Sequence, residues 1–273
     1  MQTLTDIHAL IIDMDGVLWE GTRALPGLEG FFSLLRKQQL PYILATNNAS
    51  LTQDQYISKL KSMGISVSAD EILTSSMATA HYLSELVTPS STHVLVIGED
   101  GLRQPLLNKG FSIIDKPFQS TGQTADFVIC GLDRQLTWDK LAEASLHICA
   151  GAKFIATNAD TTLPTERGPV IGNGAILAAL RAATQVTPTV IGKPEAVMYQ
   201  QAIKILGVPP EKTVAIGDRL NTDILGAVNT GIRSIMVLTG ISSKDDLKSI
   251  DYQPTWIMTD IQEITEALQA EFD

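Results

Sequence analysis

Two aspartates separated by one residue follow the first apolar run of the chain. Asp13 and Asp15 come directly after Ile11 and Ile12, with Met14 between them. In extended backbone, side chains two residues apart point to the same side, and two carboxylates this close repel each other unless a cation lies between them. Mg²⁺ suits this position because it prefers carboxylate, carbonyl and water oxygens. The spacing predicts a magnesium site in which Asp13 attacks phosphorus to give an aspartyl-phosphate, and Asp15 is the general acid and base.

Hydroxyl, amide and ammonium donors follow two further apolar segments. Thr46, Asn47 and Asn48 come at the end of a predicted strand. Donors fixed at a strand end can hold the equatorial oxygens of a phosphoryl group while its negative charge redistributes. Lys193 follows another apolar segment, and its ammonium can reach the same phosphate and offset the charge of Asp13. Together these residues predict a phosphate-binding site.

A second group of acidic residues follows the apolar strand predicted over residues 213–216. Asp218 lies just past the end of this strand, where its carboxylate is a candidate direct ligand of Mg²⁺. Asp223 lies near the start of the next predicted helix and is a candidate to orient a metal-bound water or Lys193. An acidic residue in a first helical turn also interacts favourably with the helix dipole, so Asp223 has a purely structural explanation as well.

Each of these segments, taken alone, is also explained by ordinary local structure. Asp-x-Asp-Gly is common in turns, Thr and Asn are frequent between strand and helix, and a single lysine is most often exposed. However, the segments follow four strand-like runs in order, and in an open α/β sheet ligands bind outside the carboxyl ends of the strands. One metal-dependent phosphoryl-transfer site explains all four, and we expect the chain to be an enzyme of that kind.

Strand-like and helix-like segments alternate along the chain, which predicts an α/β protein with a doubly wound, Rossmann-like parallel sheet. Linker-like stretches rich in polar residues and proline occur over residues 88–92 and 185–188. The phosphoryl-transfer segments lie on both sides of the section between these stretches. We therefore predict a catalytic core formed by residues 1–88 and 188–273, and an inserted α/β domain formed by residues 89–187.

Composition limits the classes of function. The 273-residue chain has a formal net charge of −10, which argues against a partner that is nucleic acid. No stretch reaches the roughly 18 apolar residues of a membrane span, and the chain does not begin with the basic segment of a secretory signal. We therefore expect a cytoplasmic enzyme with no membrane partner. Cys130 and Cys149 lie in apolar segments and are predicted to be reduced thiols in the core.

At these residues the chain resembles the haloacid dehalogenase superfamily of phosphatases, whose four motifs it carries in order. The resemblance implies that Asp13 is the nucleophile and a Mg²⁺ ligand, and that Asp15 is the acid and base and binds Mg²⁺ through its backbone carbonyl. It also implies that Thr46 and Lys193 bind the phosphate. The other motif residues are implied to contact phosphate (Asn47 and Asn48) or to complete the metal site (Asp218 and Asp223).

Three more specific features resemble those of one branch of the superfamily. This branch contains nitrophenylphosphatases, phosphoglycolate phosphatases, pyridoxal phosphate phosphatases and NagD-like nucleotide phosphatases. The three features are Asp-Gly-Val-Leu-Trp, Thr-Asn-Asn and a domain inserted between the second and third motifs. In this branch the inserted domain is a cap, and one of its loops helps to select the substrate. The matching loop contains Asn158, Asp160 and Leu163, although a structural strand-to-helix loop is the alternative. Pyridoxal phosphate phosphatases have histidine where this chain has Leu163, and an apolar residue there resembles the phosphoglycolate phosphatase type.

The main prediction is a Mg²⁺-dependent phosphatase that hydrolyses small phosphorylated metabolites. These substrates are predicted to resemble phosphoglycolate, a sugar phosphate or a nucleotide, and the enzyme is also expected to hydrolyse aryl phosphates such as p-nitrophenyl phosphate. Phosphotransfer or mutase chemistry on the same fold is an alternative, because one sequence does not exclude retention of the phosphoryl group. Dehalogenation is disfavoured because the dehalogenases of the superfamily have no counterpart of Asp15. A non-catalytic regulatory homologue would be expected to have lost one of the main motif residues, and none is lost. A homodimer formed through the cap is compatible with the resemblance.

Overall fold

The computed structural model describes residues 4–114, 124–165 and 168–272. The strands in this part of the chain are β1 (Ala9–Ile12), β2 (Trp19–Glu20), β3 (Arg23–Ala24), β4 (Tyr42–Thr46), β5 (Ile72–Thr74), β6 (His93–Ile97), β7 (Ser112–Ile113), β8 (Phe127–Cys130), β9 (Lys153–Ala156), β10 (Thr162–Thr165), β11 (Gly168–Ile171), β12 (Thr189–Val190), β13 (Thr213–Gly217), β14 (Arg233–Val237) and β15 (Trp256–Met258). The helices are α1 (Leu28–Lys37), α2 (Gln53–Ser62), α3 (Ser75–Leu86), α4 (Asp100–Asn108), α5 (Trp138–Cys149), α6 (Asn173–Thr184), α7 (Ala196–Leu206), α8 (Leu225–Thr230) and α9 (Ile261–Phe272). None of these helices is both long enough and apolar enough to cross a lipid bilayer.

The described residues form two compact units. The first comprises residues 4–46, 56–73 and 193–272, and the second comprises residues 47–55, 74–114, 124–165 and 168–192.

The bounds of these units differ from the predicted domain boundaries, because both predicted linkers lie within the second unit. Pro89–Ser91 form a 3₁₀ turn, and β12, which follows the second linker, pairs with β9. Helix α3 precedes the first linker and packs against α4 of the same unit. The linker-like composition therefore identified polar segments within the second unit, rather than the connections between the two units.

A six-stranded sheet forms the centre of the first unit, in the order β15-β14-β13-β1-β4-β5. The neighbouring pairs from β4 through β1, β13 and β14 to β15 are parallel. Strands β1 and β13 are buried along their whole length, which explains why their sequences are almost entirely apolar rather than alternating. Helix α7 packs against β1 and β4, and α1 packs against α9. The parallel arrangement places the carboxyl ends of β4, β1 and β13 side by side.

The second unit contains a five-stranded sheet in the order β12-β9-β8-β6-β7, and its neighbouring pairs are parallel. Its core is an apolar cluster in which Val128 and Phe154 of the sheet pack with Ile148 of α5 and Leu177 of α6. An antiparallel hairpin of β10 and β11 follows the strand β9. The second unit therefore has an α/β core of its own, as the inserted domain was predicted to have.

The two cysteines differ in burial. Both are free thiols, but Cys130 is buried in β8 and Cys149 is exposed at the end of α5. The prediction that both lie in the core is therefore wrong for Cys149. The buried face of α5 is formed by Ala144, His147 and Ile148, and the next residue is rotated by about 100° around the helix.

Candidate active site

The ends of β1 and β13 bring three carboxylates together. Asp13 follows β1, and its backbone N–H donates to the carbonyl of Ile216 in the neighbouring strand at 2.8 Å. Asp218 follows β13, and Asp223 lies in the π-helical turn Leu220–Ile224 that precedes α8. One carboxylate oxygen of each aspartate lies within 4.8 Å of the others. Because β1 and β13 are adjacent and parallel, residues far apart in the sequence form one acidic cluster.

Lys193 contacts this cluster from inside the protein. Its Nζ donates to Asp13 Oδ1 and to Asp223 Oδ1, both at 2.6 Å, and to the carbonyl of Ala45 at 3.0 Å. Only 3% of the lysine side chain is exposed. Burial alone would lower the pKa of Lys193, but the charges of Asp13 and Asp223 outweigh it and hold that pKa well above its ordinary value. Three carboxylates around one ammonium leave an excess of negative charge.

The cluster fits a divalent cation. Asp218 Oδ1 is buried and accepts no hydrogen bond from the described residues, although a buried carboxylate oxygen ordinarily has a partner. Burial, and then the charge of Asp223, raise the pKa of Asp218 to about 6. Burial also raises the pKa of Asp13 well above its ordinary value, and Lys193 opposes this effect. A bound Mg²⁺ would give Asp218 Oδ1 a partner and reduce the repulsion between the carboxylates.

Asp223 uses both of its carboxylate oxygens within the protein. Oδ1 accepts from Lys193 Nζ, and Oδ2 accepts from the backbone N–H of Arg219 at 3.1 Å. The hydroxyl of Tyr199 in α7 donates to the backbone carbonyl of Asp223 at 3.0 Å. These contacts hold the carboxylate against the lysine, which supports an orienting role for Asp223.

A segment after β14, absent from the sequence predictions, packs around Asp218. The backbone N–H of Ile241 donates to Asp218 Oδ2 at 2.7 Å. A Cβ atom at Gly240 would lie 1.9 Å from the same oxygen, so glycine is needed for this close approach. Thr239 Oγ1 donates to the carbonyl of Gly16 at 2.6 Å. A signal for this segment exists in the sequence, because it follows the apolar run of β14 as the other site segments follow theirs.

Asp15 and Thr46 belong to the same unit as the acidic cluster. Asp15 is half-buried, and its Oδ1 accepts from the indole Nε1 of Trp19 at 2.8 Å. Lys59 Nζ lies 4.1 Å from the centroid of the Trp19 ring. Thr46 is buried at the end of β4, directly after the residue whose carbonyl accepts from the buried lysine. The first unit therefore gathers six of the predicted site residues: Asp13, Asp15, Thr46, Lys193, Asp218 and Asp223.

The remaining predicted residues belong to the second unit: Asn47, Asn48, Asn158, Asp160 and Leu163. Asn47 Nδ2 donates to the carboxylate oxygens of Asp160 at 3.2 and 3.4 Å, and the Asn47 carbonyl accepts from Asn158 Nδ2 at 2.8 Å. Asn48 Oδ1 accepts from the N–H and the hydroxyl of Ser50 at 3.1 and 2.7 Å, a local pattern typical of turns. Leu163 is half-buried in the hairpin of β10 and β11. Asn47, Asn158 and Asp160 therefore form one polar network.

Comparisons with known proteins show which family the chain resembles. The family model of haloacid dehalogenase-like hydrolases matches residues 10–112, and a second HAD-hydrolase-like model matches residues 190–264. An acid sugar phosphatase of Staphylococcus saprophyticus is 37% identical over 266 residues, which are 97% of this chain and 100% of the relative. The crystal structure of a 4-nitrophenylphosphatase from Thermotoga maritima has a TM-score of 0.89 at 32% identity, and the match covers 97% of this chain and 98% of that one. A glycerol phosphate phosphatase from Mycobacterium tuberculosis, solved in complex with magnesium, has a TM-score of 0.86 at 34% identity, and the match covers 95% of this chain and 76% of its own.

The parallel sheets and the solved relatives define a hydrolase of the α/β fold class with an inserted cap domain. Its acidic cluster lies at the carboxyl ends of β1 and β13. The chain belongs to the haloacid dehalogenase-like hydrolases. Within that family it is a phosphomonoester hydrolase of the NagD-like branch, in which acid sugar phosphatases and 4-nitrophenylphosphatases are found. The predictions of the fold class, of the family and of an enzyme with phosphatase activity are confirmed.

Proposed function

We propose that the chain hydrolyses small phosphate monoesters with Mg²⁺ as its cofactor and Asp13 as its nucleophile. The observation that carries the proposal is the buried contact of Lys193 with Asp13, beside an Asp218 oxygen that has no hydrogen-bond partner in the described part of the chain. This arrangement combines a nucleophilic carboxylate, a fixed cation for the phosphate and a ligand for a metal. Several such groups are needed because phosphate monoesters are among the slowest compounds to hydrolyse without a catalyst.

The reaction consists of two half-reactions that use the same residues. In the first, a carboxylate oxygen of Asp13 bonds to phosphorus while the bond from phosphorus to the leaving oxygen breaks. Asp15 gives its proton to that oxygen, which leaves as an alcohol. In the second, water attacks the same phosphorus and gives a proton to Asp15. The bond from phosphorus to Asp13 then breaks, which releases inorganic phosphate and restores both carboxyl groups.

Cationic and hydrogen-bonding groups of the chain stabilise the phosphoryl group in this scheme. Lys193 and the hydroxyl of Thr46 are assigned to its oxygens, and Asp223 keeps the lysine in place through its Oδ1. Asn47 and Asn48 are proposed as further phosphate contacts on the resemblance of their motif alone.

The metal would be held by Asp13, Asp218 and the backbone carbonyl of Asp15. When bound, Mg²⁺ supplies positive charge beside the phosphoryl oxygens. The carboxylate of Asp218 has a suitable orientation for this role, because the N–H of Ile241 donates to Oδ2 at 2.7 Å and leaves Oδ1 available for the metal.

The names of the relatives narrow the proposed substrate class. One relative is named for sugar phosphates, one for 4-nitrophenyl phosphate and one for glycerol phosphate, all of them monoesters of a small alcohol or phenol. We assign the same class to this chain. In this assignment the first unit is the catalytic core, the second unit is the cap, and the loop with Asn158, Asp160 and Leu163 contributes to substrate selection.

Release of inorganic phosphate from a panel of monoesters, ranked by kcat/KM, tests the substrate class. Asp13→Asn tests the nucleophile and should abolish both turnover and the phosphorylated enzyme that can be trapped from the parent by acid quenching. Asp54→Asn changes an exposed aspartate of α2 and is the matched control that should remain active. Turnover by a folded Asp13→Asn protein within about tenfold of the parent contradicts the proposal, because nucleophilic catalysis requires that carboxylate.

A further inference from the structure

Trp19 is a buried side chain whose one polar atom points at a site residue. The side chain is fully buried in the first unit, and its Nε1 donates to Asp15 Oδ1 at 2.8 Å. Because a buried indole N–H needs an acceptor, this hydrogen bond links the packing of Trp19 to the orientation of the Asp15 carboxyl group.

Backbone hydrogen bonds fix the separation between Trp19 and Asp15. The chain between them closes a tight turn, in which Leu18 N–H donates to the Met14 carbonyl and Gly16 N–H donates to the Trp19 carbonyl, both at 2.8 Å. Gly16 has a φ of 82°, a left-handed conformation that glycine adopts without strain. The turn therefore presents the indole to the carboxyl group in a defined geometry.

Lys59 of α2 holds the indole from its face. Its Nζ lies 4.1 Å from the centroid of the Trp19 ring, where a cation is attracted to the negative face of the π system. Electron density drawn toward the cation makes the indole N–H a stronger donor. Burial lowers the pKa of Lys59, and the charge of Asp15 opposes this effect. Lys59, Trp19 and Asp15 therefore form a continuous chain of contacts.

We propose that Trp19 is a positioning residue for Asp15, an inference that rests on the acid–base role of Asp15 in the proposed function. An indole N–H only donates, so it binds Asp15 Oδ1 whether the carboxyl group is protonated or ionised, and the proton resides on Oδ2. That proton moves from Oδ2 to the leaving oxygen as the bond between phosphorus and oxygen breaks. In the second half-reaction the attacking water returns a proton to Oδ2, and the carboxyl group keeps one orientation throughout.

The dependence of kcat/KM on the leaving group distinguishes this positioning role of Trp19 from a purely structural role. An alkoxide is strongly basic and needs a proton to leave, whereas 4-nitrophenolate is a stable anion that leaves without one. Trp19→Phe should therefore lower kcat/KM for glycerol 3-phosphate or the best sugar phosphate by about 10- to 100-fold, and for 4-nitrophenyl phosphate by less than about threefold. A variant with general damage to the fold or to metal binding would lower both values by the same factor.

Two variants provide references for this experiment. Asp15→Asn removes the acid itself and should show the same selectivity more strongly. Trp256→Phe is the same substitution at a half-buried tryptophan in β15, and it should leave both kcat/KM values unchanged. If Trp19→Phe does not fold, benzothienylalanine can replace Trp19 in a protein that carries Trp138→Phe and Trp256→Phe. This analogue keeps the shape of the indole and lacks only the N–H donor.

The outcomes distinguish this inference from the proposed function. Selective loss on the alkyl phosphate in both the Asp15→Asn and the Trp19 variants supports the inference. If Asp15→Asn is selective while the Trp19 variants lose activity equally on both substrates, or lose none, the inference is overturned and the proposed function stands. If Asp15→Asn shows no selectivity, the acid role of Asp15 fails, and the positioning role of Trp19 fails with it.

Discussion

At the scale of single residues, the contacts of Lys193 with Asp13 and Asp223 contribute both to the stability of the fold and to the proposed chemistry. Its ammonium is buried and lies 2.6 Å from both Asp13 and Asp223. Removing water from three charged groups is costly, and only their mutual attraction and hydrogen bonds offset that cost. In the proposed function, a lysine held in this way needs no rearrangement before phosphate binds, because its position is already fixed by two carboxylates and one carbonyl.

Lys193→Met should therefore affect both stability and activity. Without the ammonium, two carboxylates remain buried with no cation, and we expect the free energy of unfolding in a chelator-containing buffer to fall by about 3–5 kcal/mol. Activity should fall on every substrate alike, because each carries the same phosphoryl group. Urea unfolding and kcat/KM measure the two effects.

Two further variants show whether the loss of stability in Lys193→Met comes from the buried charges. Lys193→Met combined with Asp223→Asn should recover part of the stability, because one buried charge is removed, but none of the activity. Lys248→Met disrupts an exposed pair with Asp245 and should cost less than about 1 kcal/mol. An unchanged urea midpoint for Lys193→Met would show that the buried carboxylates do not depend on the lysine.

At the scale of elements, the segment after β14 shows how closely the backbone approaches Asp218, the side chain proposed to bind the metal. Gly240 leaves room for Asp218 Oδ2, whereas a Cβ there would lie 1.9 Å from that oxygen. The neighbouring N–H of Ile241 fixes the same oxygen, so Asp218 cannot move away without losing this partly buried hydrogen bond.

Two glycine-to-alanine substitutions should therefore have opposite effects. Gly240→Ala should destabilise the protein and weaken its activation by Mg²⁺, because the added methyl group displaces Asp218. A Cβ at Gly30 in α1 would project into open space among the described residues, so Gly30→Ala should stabilise the protein by about 0.5–1 kcal/mol through helix propensity. Thermal unfolding and titration of activity with Mg²⁺ check both. Equal effects of the two substitutions would contradict the role assigned to the close approach.

The strand ends could be predicted from the sequence because each buried parallel strand is a continuous apolar run followed by a polar residue. This pattern identified Asp13 and Asp218, and the parallel pairing of β1 and β13 explains why they meet. The expectation that Lys193 follows a strand of the same sheet is wrong, because the strand before it, β12, pairs with β9 in the other sheet. The lysine instead precedes α7, which packs against β1 and β4. The contact of Gly240 with Asp218 could not be predicted, because it depends on how the loop after β14 returns over its neighbour. The hydrogen bond from Trp19 to Asp15 likewise depends on the dihedral angles of one turn.

Other elements had weak or misleading signals. Helix α3 has only a weakly amphipathic sequence with many small residues, and α3 was not predicted. Cys149 lies in an apolar segment, but its burial depends on helical phase rather than on composition. The unit boundaries also depend on contacts between residues far apart in the sequence, and a polar, linker-like composition does not indicate such contacts.

The hairpin of β10 and β11 is the element to which the proposed substrate selection is assigned, through Leu163. Leu163→His adds a hydrogen-bond donor and a titratable group to a half-buried apolar position, and only some leaving groups can use them. We expect kcat/KM to change unequally across a panel of monoesters, by about 1–3 kcal/mol between substrates, and least for 4-nitrophenyl phosphate. Leu163→Met is the control that keeps the position apolar. A single common factor for all substrates would show that this position does not select the leaving group.

At the scale of the whole molecule, the acidic cluster exists only when the first unit is folded. Asp13 and Asp218 come from distant parts of the sequence and meet through the parallel pairing of β1 and β13. Asp223 follows in the next turn after Asp218, and Lys193 joins the cluster through its hydrogen bonds to Asp13 and Asp223. The unfolded chain has no such arrangement, so a metal that binds the cluster binds the native state almost exclusively. The excess of carboxylates over ammonium groups in the cluster makes this coupling between metal binding and folding strong.

Mg²⁺ should therefore be required for activity and should also stabilise the folded protein. A ligand that binds only the native state adds about 2.7 kcal/mol to the free energy of unfolding when its concentration is about 100 times its Kd. Thermal unfolding with Mg²⁺ and with a chelator measures this effect, and Asp218→Asn should reduce it. Ca²⁺ should inhibit the enzyme, because it prefers more oxygen ligands at longer distances. Full activity after exhaustive chelation would contradict the prediction.

The stabilisation by Mg²⁺ should also depend on pH, because protons compete with the metal for Asp218. Burial raises the pKa of Asp218 to about 6 in the metal-free protein, above the value of an unfolded chain. As the pH falls through this range, the carboxylate takes up a proton, which stabilises the metal-free native state and disfavours metal binding. The rise in Tm caused by Mg²⁺ should therefore be larger at about pH 7.5 than at about pH 5. The Asp218→Asn variant should lose most of this difference, and an equal rise at both pH values in the parent would show that Asp218 does not bind the metal.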